Sequence, residues 1–546
     1  MIAKSATNAT MTAHLGLTHP IGADVAACLI HDGKLKGIYE EERFTRQKHA
    51  LNAIPTRSIE ALLRDAGLSI KDLSSISVGF TEPSTAWNAQ LGSRLRRFLG
   101  DMRLAYRFHD SRLNWLGVKQ HRIDHYEAHA LSVLPYLRSS AGNILVLDGW
   151  GGDSAGAAFV ADSCGQLKEL WRVPVNHSIG LFYQLVTARL GFSPHSDEGK
   201  TMGLAAFGKP DSSVLPDLCD QQSALPDVSA YFEYLQDNFP QRASADPIQP
   251  NHIALAATAQ WYLERAVLRC AERVHEQTGL STFALAGGVA LNCVANGKLL
   301  EQPFIDQLYV HPASSDSGVS IGAAFSASQE SGERVGLGCL ADTPFWGPNY
   351  SDGDVDAAIS FANLRLTKGD VVGRIASALA SGAVVGIFDG RAEFGPRALG
   401  ARSILADPRT VQSRDRVNSL VKRRESWRPF APSILTRFTS TICKHATTTM
   451  TVSSDVFAEW QEAVPAVVHV DGTARAHAVP DGSFLSEILE NFLGLTGVPV
   501  LLNTSFNLND EPMVLKPDQA LATFYRSGLD ILAFRSGYLV KNDKWR

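Results

Sequence analysis

The sequence predicts an α/β protein, and three runs carry that prediction. ADVAACLI before His31, NILVLDGWGGD around Asp148 and STFALAGGVALN around Gly287 are apolar, strand-like stretches. The last two end in glycine or aspartate before a stretch of helical character. Such endings let backbone N–H groups approach a phosphate closely, which is a habit of nucleotide-handling α/β folds. The first run closes differently: Asp32-Gly33 lies between two strand-like segments, the strongest short-range signal for a hairpin.

The remaining elements follow in chain order. Residues 211–251 are rich in Pro, Asp and Ser with weak periodicity and read as loop-rich. The run GCLADTPFWGPNYSDG, residues 338–353, is dense in Gly, Pro and Asp and is the best linker candidate. Beyond it a second α/β pattern starts, with a helix near residues 355–362, the strand AVVGIFDG and a basic segment around Lys422. No repeat of fixed period and no low-complexity tract is present. Two unlike α/β halves, divided as residues 1–345 and 346–546, are the organisation this pattern predicts.

Composition narrows the function. The 546 residues are 45% hydrophobic and 20% charged, with a mean hydropathy of -0.05, as in ordinary globular proteins. With 51 Lys and Arg against 56 Asp and Glu the formal net charge is -5, so the chain lacks the broad basic field that a nucleic-acid backbone requires. No apolar run reaches the roughly 18 residues of a membrane span, and the opening MIAKSATNATMTAHLGL lacks the apolar core of a secretion signal. Seven scattered cysteines form no C-x-x-C pair, so neither a disulfide framework nor a thiolate zinc site is expected. The chain reads as cytoplasmic, with no membrane and no nucleic-acid partner.

Five constellations can carry chemistry. His125 and His129 stand at i and i+4, one helix face apart, where two imidazoles can share a metal. Sixteen histidines in 546 residues make about half of one such pair a chance expectation, so ordinary core histidines are an equal reading. His121 repeats the spacing, and Asp148 at a strand end can add a carboxylate. The run Glu198-Gly-Lys200-Thr-Met-Gly tempts a phosphate-loop reading, but Pro194 stands where that motif needs glycine; Lys200 is either a phosphate contact or a surface lysine. Asp316, before Gly318-x-x-x-Gly322, is a helix N-cap or a ligand. The richest run is Gly390-Arg391 to Arg402, followed by Lys422-Arg423-Arg424-Glu425-Ser-Trp-Arg428. So many guanidiniums among glycines in an acidic chain point to a focused anion pocket, since Arg forks grip phosphate and carboxylate bidentately. Finally, Asn503-Thr504-Ser505-Phe-Asn507 after an apolar strand suits a polar ligand or a satisfied turn.

Together these segments resemble the O-carbamoyltransferase family of antibiotic and nodulation-factor biosynthesis. The matching pieces are EEERFTRQKH, HYEAHA, EGKTMGLAAFG, LAGGVALNCVANGKL, EFGPRALGARSILADPR, KRRESWRPFAP, HVDGTAR and LLNTSFN, in family order over nearly the whole chain. The resemblance implies an actin-like ATPase N-terminal domain and a YrdC-like C-terminal α/β domain. It implies that the C-terminal domain makes carbamoyl adenylate from carbamoyl phosphate and ATP, and that the N-terminal domain passes the carbamoyl group to a hydroxyl of a small acceptor such as a sugar or polyketide. The implied metal, Fe(II) or another divalent ion, falls on His125, His129, Asp148 and Asp316. Arg397, Lys422 and Arg428 would hold the phosphates, with Arg475 and Ser505 beside them, and Gly287, Gly288 and Asn292 would lie against adenosine. A homodimer is also implied. One departure stands out: the family places His-Asp where this chain has Ala23-Asp24, leaving Asp24, His19 or His49 to assist deprotonation of the acceptor. Threonylcarbamoyl transfer to tRNA and non-catalytic nucleotide binding are the alternatives, and the acidic charge balance argues against the first.

Overall fold

The computed structural model describes residues 12–84, 90–100, 102–113, 120–138, 140–333 and 339–545. The N-terminal stretch read for a secretion signal lies mostly outside them.

Strands β1 (Ala13–Leu17), β2 (Ala26–His31), β3 (Lys34–Glu40), β4 (Ser75–Val78) and β5 (Gln120–Arg122) form one sheet in the order β3-β2-β1-β4-β5. β1–β3 pair antiparallel, and β4 and β5 join parallel. The expected hairpin is there: Asp32 (φ 51°) and Gly33 (φ 67°) both adopt the left-handed backbone that a tight turn between twisted strands demands.

A second sheet repeats the plan. β6 (Gly142–Gly151), β7 (Ser154–Ala161), β8 (Leu167–Pro174), β9 (Thr282–Ala286) and β10 (Gln307–Val310) run β10-β9-β6-β7-β8, with the same pattern of antiparallel and parallel pairs. Written from its first strand, each sheet has the order 3-2-1-4-5. This duplicated sheet is the actin-like ATPase plan that the resemblance implied.

Two helices fill the space between the sheets. Helix Val319–Glu330 packs on β1, β2 and β4 and against helix His125–Val133, which in turn packs on β6 and β9. Both are buried over most of their surface, as elements between two layers must be. Their approach depends on glycine: a Cβ on Gly322 would lie 1.8 Å from the Ala128 carbonyl oxygen, and one on Gly16 would lie 2.0 Å from that of Ser320.

The rest of the strands are β11 (Val385–Phe388), β12 (Arg402–Ala406), β13 (Ala431–Leu435), β14 (Ser454–Asp455), β15 (Thr473–Ala474), β16 (His477–Val479), β17 (Val500–Ser505), β18 (Ile531–Phe534) and β19 (Gly537–Val540). Seven of them make a mixed sheet, β16-β13-β17-β12-β11-β18-β19, while β14 and β15 pair separately. Helices Val371–Ala380 and Phe484–Thr496 pack together over one face of this sheet. The C-terminal region is thus a second, unlike α/β unit.

Two stretches carry more structure than the sequence reading gave them. The stretch 211–251 contains the helix Val228–Asn238, whose Tyr231, Phe232 and Leu235 are buried in the second sheet's core. Only four core-facing positions in eleven residues left its periodicity faint. Residues 339–353 are no free linker either. The Trp346 carbonyl accepts from Ile38 N at 2.9 Å, Gly347 N donates to the Ala392 carbonyl at 2.9 Å and Ala392 N to the Pro348 carbonyl at 3.0 Å, so the segment is stitched to both regions.

Candidate functional site

One cavity of about 1240 Å³ collects segments from both regions, and it is lined by most of the residues singled out from sequence. At one pole stand His125, His129, Asp148 and Asp316, whose ligating atoms all lie within 4.8 Å of one another. Asp124 caps the histidine helix by accepting from Tyr126 N and Glu127 N. His125 Nε2 is 3.2 Å from Asp148 Oδ2 and 3.7 Å from Asp316 Oδ1; His129 Nε2 is 3.6 and 3.7 Å from the same two oxygens.

The tests for a cation are internal to this group. His125 Nδ1 lies 3.1 Å from the Gly79 carbonyl, a partner that fixes the proton there and turns the Nε2 lone pair inward. Gly149 N and Gly288 N donate to Asp148 Oδ1 and leave Oδ2 for the centre. His129 is fully buried, and neither of its ring nitrogens has a hydrogen-bond partner. Burial disfavours an imidazolium at His125, yet Asp148 and Asp316 outweigh it and push that ring up to about 9. Two imidazoles and two carboxylates converging on one point, with buried nitrogens unspent, fit a divalent cation.

Asp316 is therefore no helix cap: it opens the 3₁₀ turn Asp316–Gly318 and turns its carboxylate to the histidines. His121 sits on β5 beside Glu330 at 3.8 Å, away from the group, because its residue is strand and not helix.

Beside this pole lies a second pair. Asp24 Oδ1 is 2.7 Å from His49 Nδ1, and both residues line the cavity. Each holds a left-handed backbone (φ 54° and 63°), and their main chains are tied by Asp24 N donating to His49 O at 2.7 Å. Strained backbone of this kind persists where neighbours over-determine it, and it clusters at functional sites. Burial opposes charge on His49, but Asp24 prevails and raises its pKa. His19 is elsewhere: it is buried, stacked on Tyr106 at 4.7 Å, and accepts from Ile21 N.

The opposite pole is basic. Arg397, Lys422, Arg424, Arg428 and Arg475 all line the cavity. Arg397 is partly buried, and burial together with the charge of Arg475 pushes it down to about 9. Arg475 Nε has no partner. Lys422 donates to Ser505 O, Ser505 Oγ, Asn507 O and Asn507 Oδ1 at 2.6–3.2 Å, so its ammonium is committed to the protein. Burial, with Arg424 and Arg428 nearby, lowers its pKa well below the ordinary lysine range. Three other basic residues of these motifs do different work. Arg402 is buried, donates to the carbonyls of Asp389, Gly390, Ala401 and Leu515, and stacks 3.6 Å over Phe388, which makes it a loop staple. Arg391 lies near the Lys36 and Trp346 carbonyls, and neither it nor Arg423 lines the cavity.

Lys200 also lines the cavity, paired with Asp197 at 3.0 Å and with Glu425 at 3.8 Å; Glu425 is in turn 3.7 Å from Arg428. Gly288 lines it through its backbone. Gly287 (φ 86°) packs behind, where a Cβ would meet the Leu147 carbonyl at 2.2 Å. Asn292 caps helix Cys293–Leu300 and exchanges two hydrogen bonds with Gln260. Sequence reasoning missed that partner and Glu264, which ion-pairs with Lys298 at 2.5 Å. Their i,i+4 spacing on helix Pro250–Thr278 was the available signal.

A family model described as "Carbamoyltransferase N-terminus" matches residues 101–325, and one described as "Carbamoyltransferase C-terminus" matches residues 376–541. The nodulation protein NolNO of Sinorhizobium fredii is 36% identical, over 96% of this chain and 80% of its own. The nodulation protein NolO of Bradyrhizobium diazoefficiens is 36% identical over 75% of this chain and 77% of its own. Among solved structures, component A of the Acidaminococcus fermentans (R)-2-hydroxyglutaryl-CoA dehydratase aligns with 59% of this chain and 99% of its own, at 14% identity and a TM-score of 0.36.

Proposed function

The chain belongs to the carbamoyltransferase family, and from that premise we propose that it is an ATP-dependent O-carbamoyltransferase acting on a hydroxyl of a small natural product. Residues 346–546 form carbamoyl adenylate and residues 1–345 transfer its carbamoyl group. The supporting observation is the shared cavity, lined both by the basic cluster and by Asp148 and Asp316, the carboxylates that close on His125 and His129.

Carbamoyl phosphate is a short anion, and Arg397, Arg475 and Arg428 bind it. The charge of Arg475 disfavours charge on Arg397, and an anion bound between them relieves this. Making the adenylate from carbamoyl phosphate and ATP consumes one water and releases phosphate and pyrophosphate. The guanidiniums stabilise the charge that develops on the departing groups. Lys422 acts by holding Ser505 and Asn507 in place at the wall of this pocket. Lys200, Gly288 and Asn292 line the same cavity and contact the nucleotide.

Transfer is an attack by the acceptor oxygen on the carbamoyl carbon. The new O–C bond forms, the bond from that carbon to the adenylate phosphate oxygen breaks, and AMP leaves. His49 Nε2 takes the hydroxyl proton while Asp24 holds Nδ1–H and orients the ring, in the place of the histidine that Ala23 replaces. His125, His129, Asp148 and Asp316 would hold Fe(II) or another divalent ion. Bound there, it supplies Lewis acidity toward phosphate or carbonyl oxygen. Among the described residues no helix is long and apolar enough to cross a membrane.

The deciding experiment is pyrophosphate release from ATP with carbamoyl phosphate and Fe(II), without and then with hydroxylated acceptors. Release that requires carbamoyl phosphate supports the reading. No release under either condition, and no change on Arg397→Ala, overturns it.

A further inference from the structure

The segment EEERFTRQKH, residues 40–49, contributes His49 to the cavity, yet three of its side chains, Glu40, Arg43 and Arg46, reach into the C-terminal region. Arg43 is fully buried. Its Nη2 donates to the Gly395 carbonyl at 2.6 Å and pairs with Glu40 Oε2 at 2.8 Å. The other oxygen of Glu40 accepts from Gly395 N at 3.2 Å. One ion pair thus holds both backbone polar groups of a single glycine. That glycine (φ 89°) is two residues before Arg397, and a Cβ there would lie 2.6 Å from the Pro312 carbonyl, in the segment that leads to Asp316.

Stability alone is a poor account of this pair. Arg43 Nε and Nη1 are buried without partners, a cost that two apolar side chains of similar volume would avoid. The same run continues the grip: Arg46 Nη1 donates to the Met513 carbonyl at 2.6 Å, and Glu42 accepts from His49 N at 2.7 Å. In ten residues the chain clasps the loop carrying Arg397 at one end and sets His49 at the other.

We propose that Glu40 and Arg43 are positioning residues which, by clasping Gly395, fix the Arg397 guanidinium relative to the Asp24–His49 pair. They touch no substrate and act through the loop. The inference rests on the reading of Arg397 as the anion ligand, and it deepens that reading by naming what places the ligand.

The test is calorimetric binding of carbamoyl phosphate to the full-length protein, beside the pyrophosphate assay. Glu40→Gln/Arg43→Met removes both charges together and strands neither; it should weaken carbamoyl phosphate binding at least tenfold while shifting ATP binding less than twofold. In an Arg397→Ala background the same change should weaken binding no further, because its effect passes through Arg397. Arg43→Lys keeps the charge balance, secures a folded variant, and should show a smaller loss in the same direction. Unchanged affinity in a folded variant, or a tenfold loss that persists without Arg397, overturns the inference. A wild type that binds carbamoyl phosphate but releases no pyrophosphate sinks the catalytic reading and leaves this comparison intact.

Discussion

Arg397 and Arg475 both line the cavity, and the charge of Arg475, with partial burial, disfavours charge on Arg397. A partly buried cation without a counter-ion is costly, and a bound anion would supply one. Removing either guanidinium should therefore cost binding before it costs folding. Arg397→Ala and Arg475→Ala should each weaken carbamoyl phosphate by about 10- to 100-fold, the worth of one charge-assisted hydrogen bond. Calorimetry measures this, and thermal stability should hold or rise. A different residue-scale argument applies to His49. As a base it must be neutral, so the transfer rate should climb with pH through its pKa, which Asp24 raises. Asp24→Asn withdraws that charge. The inflection should then move to lower pH while the plateau rate of transfer falls by roughly 10²-fold or more, from loss of the oriented base. Pyrophosphate release without acceptor should stay as it was. A profile whose inflection does not move would remove His49 from the role.

At the scale of elements, the metal pole depends on how closely two helices and one strand can approach. His125 and His129 ride on one helix and Asp316 on the turn before another, and Gly322 sets the distance between them. Gly322→Ala puts a carbon on the Ala128 carbonyl, so the helices must part. The expected cost is about 1–3 kcal/mol or more by denaturant unfolding, accompanied by loss of divalent-metal content in the purified protein. Gly494 in helix Phe484–Thr496 is the control: its Cβ meets nothing within 4 Å, and alanine there should stabilise by about 0.5–1 kcal/mol. This level also shows what local chemistry can and cannot say. The hairpin at Asp32-Gly33, the strand ends at Asp148 and Gly287, and the i,i+4 histidines were legible because each is written in a few adjacent residues. Asp316 was not, since a turn's dihedrals decide whether its carboxylate caps a helix or faces two imidazoles 190 residues away in sequence. Nor was the division among the arginines. Arg402 and Arg397 look alike in GPRALGAR, and only the packing of Phe388 and four carbonyls makes the former a staple.

The whole molecule joins its two regions around the cavity, and the buried polar contacts near that joint make it sensitive to acid. His477 on β16 is fully buried, and burial pushes it down to about 3. Asn503 Nδ2 donates to Ser433 Oγ at 2.9 Å, so the Ser433 hydroxyl is free to donate to His477 Nδ1 at 3.0 Å, which requires a neutral ring. Asn503 also donates to the Ala398 carbonyl, beside Arg397, and so links this buried histidine to the anion pocket. The unfolded chain takes up a proton near 6.5, and the folded one holds out to about 3. The stability that neutral His477 contributes is complete above about pH 6.5 and is lost progressively as pH falls toward 3, with a limiting slope of about 1.4 kcal/mol per pH unit. Denaturant unfolding of wild type and His477→Gln between pH 7.5 and 4.5 measures it. The glutamine keeps an acceptor for Ser433 and cannot be protonated, so its stability should fall less steeply below pH 6.5, and the two curves should converge or cross. Because Asn503 is shared, the wild type should also lose carbamoyl phosphate affinity over that window faster than the variant. Parallel stability curves would mean that the acid sensitivity of the fold originates elsewhere, and that the loop bearing Arg397 is held independently of His477.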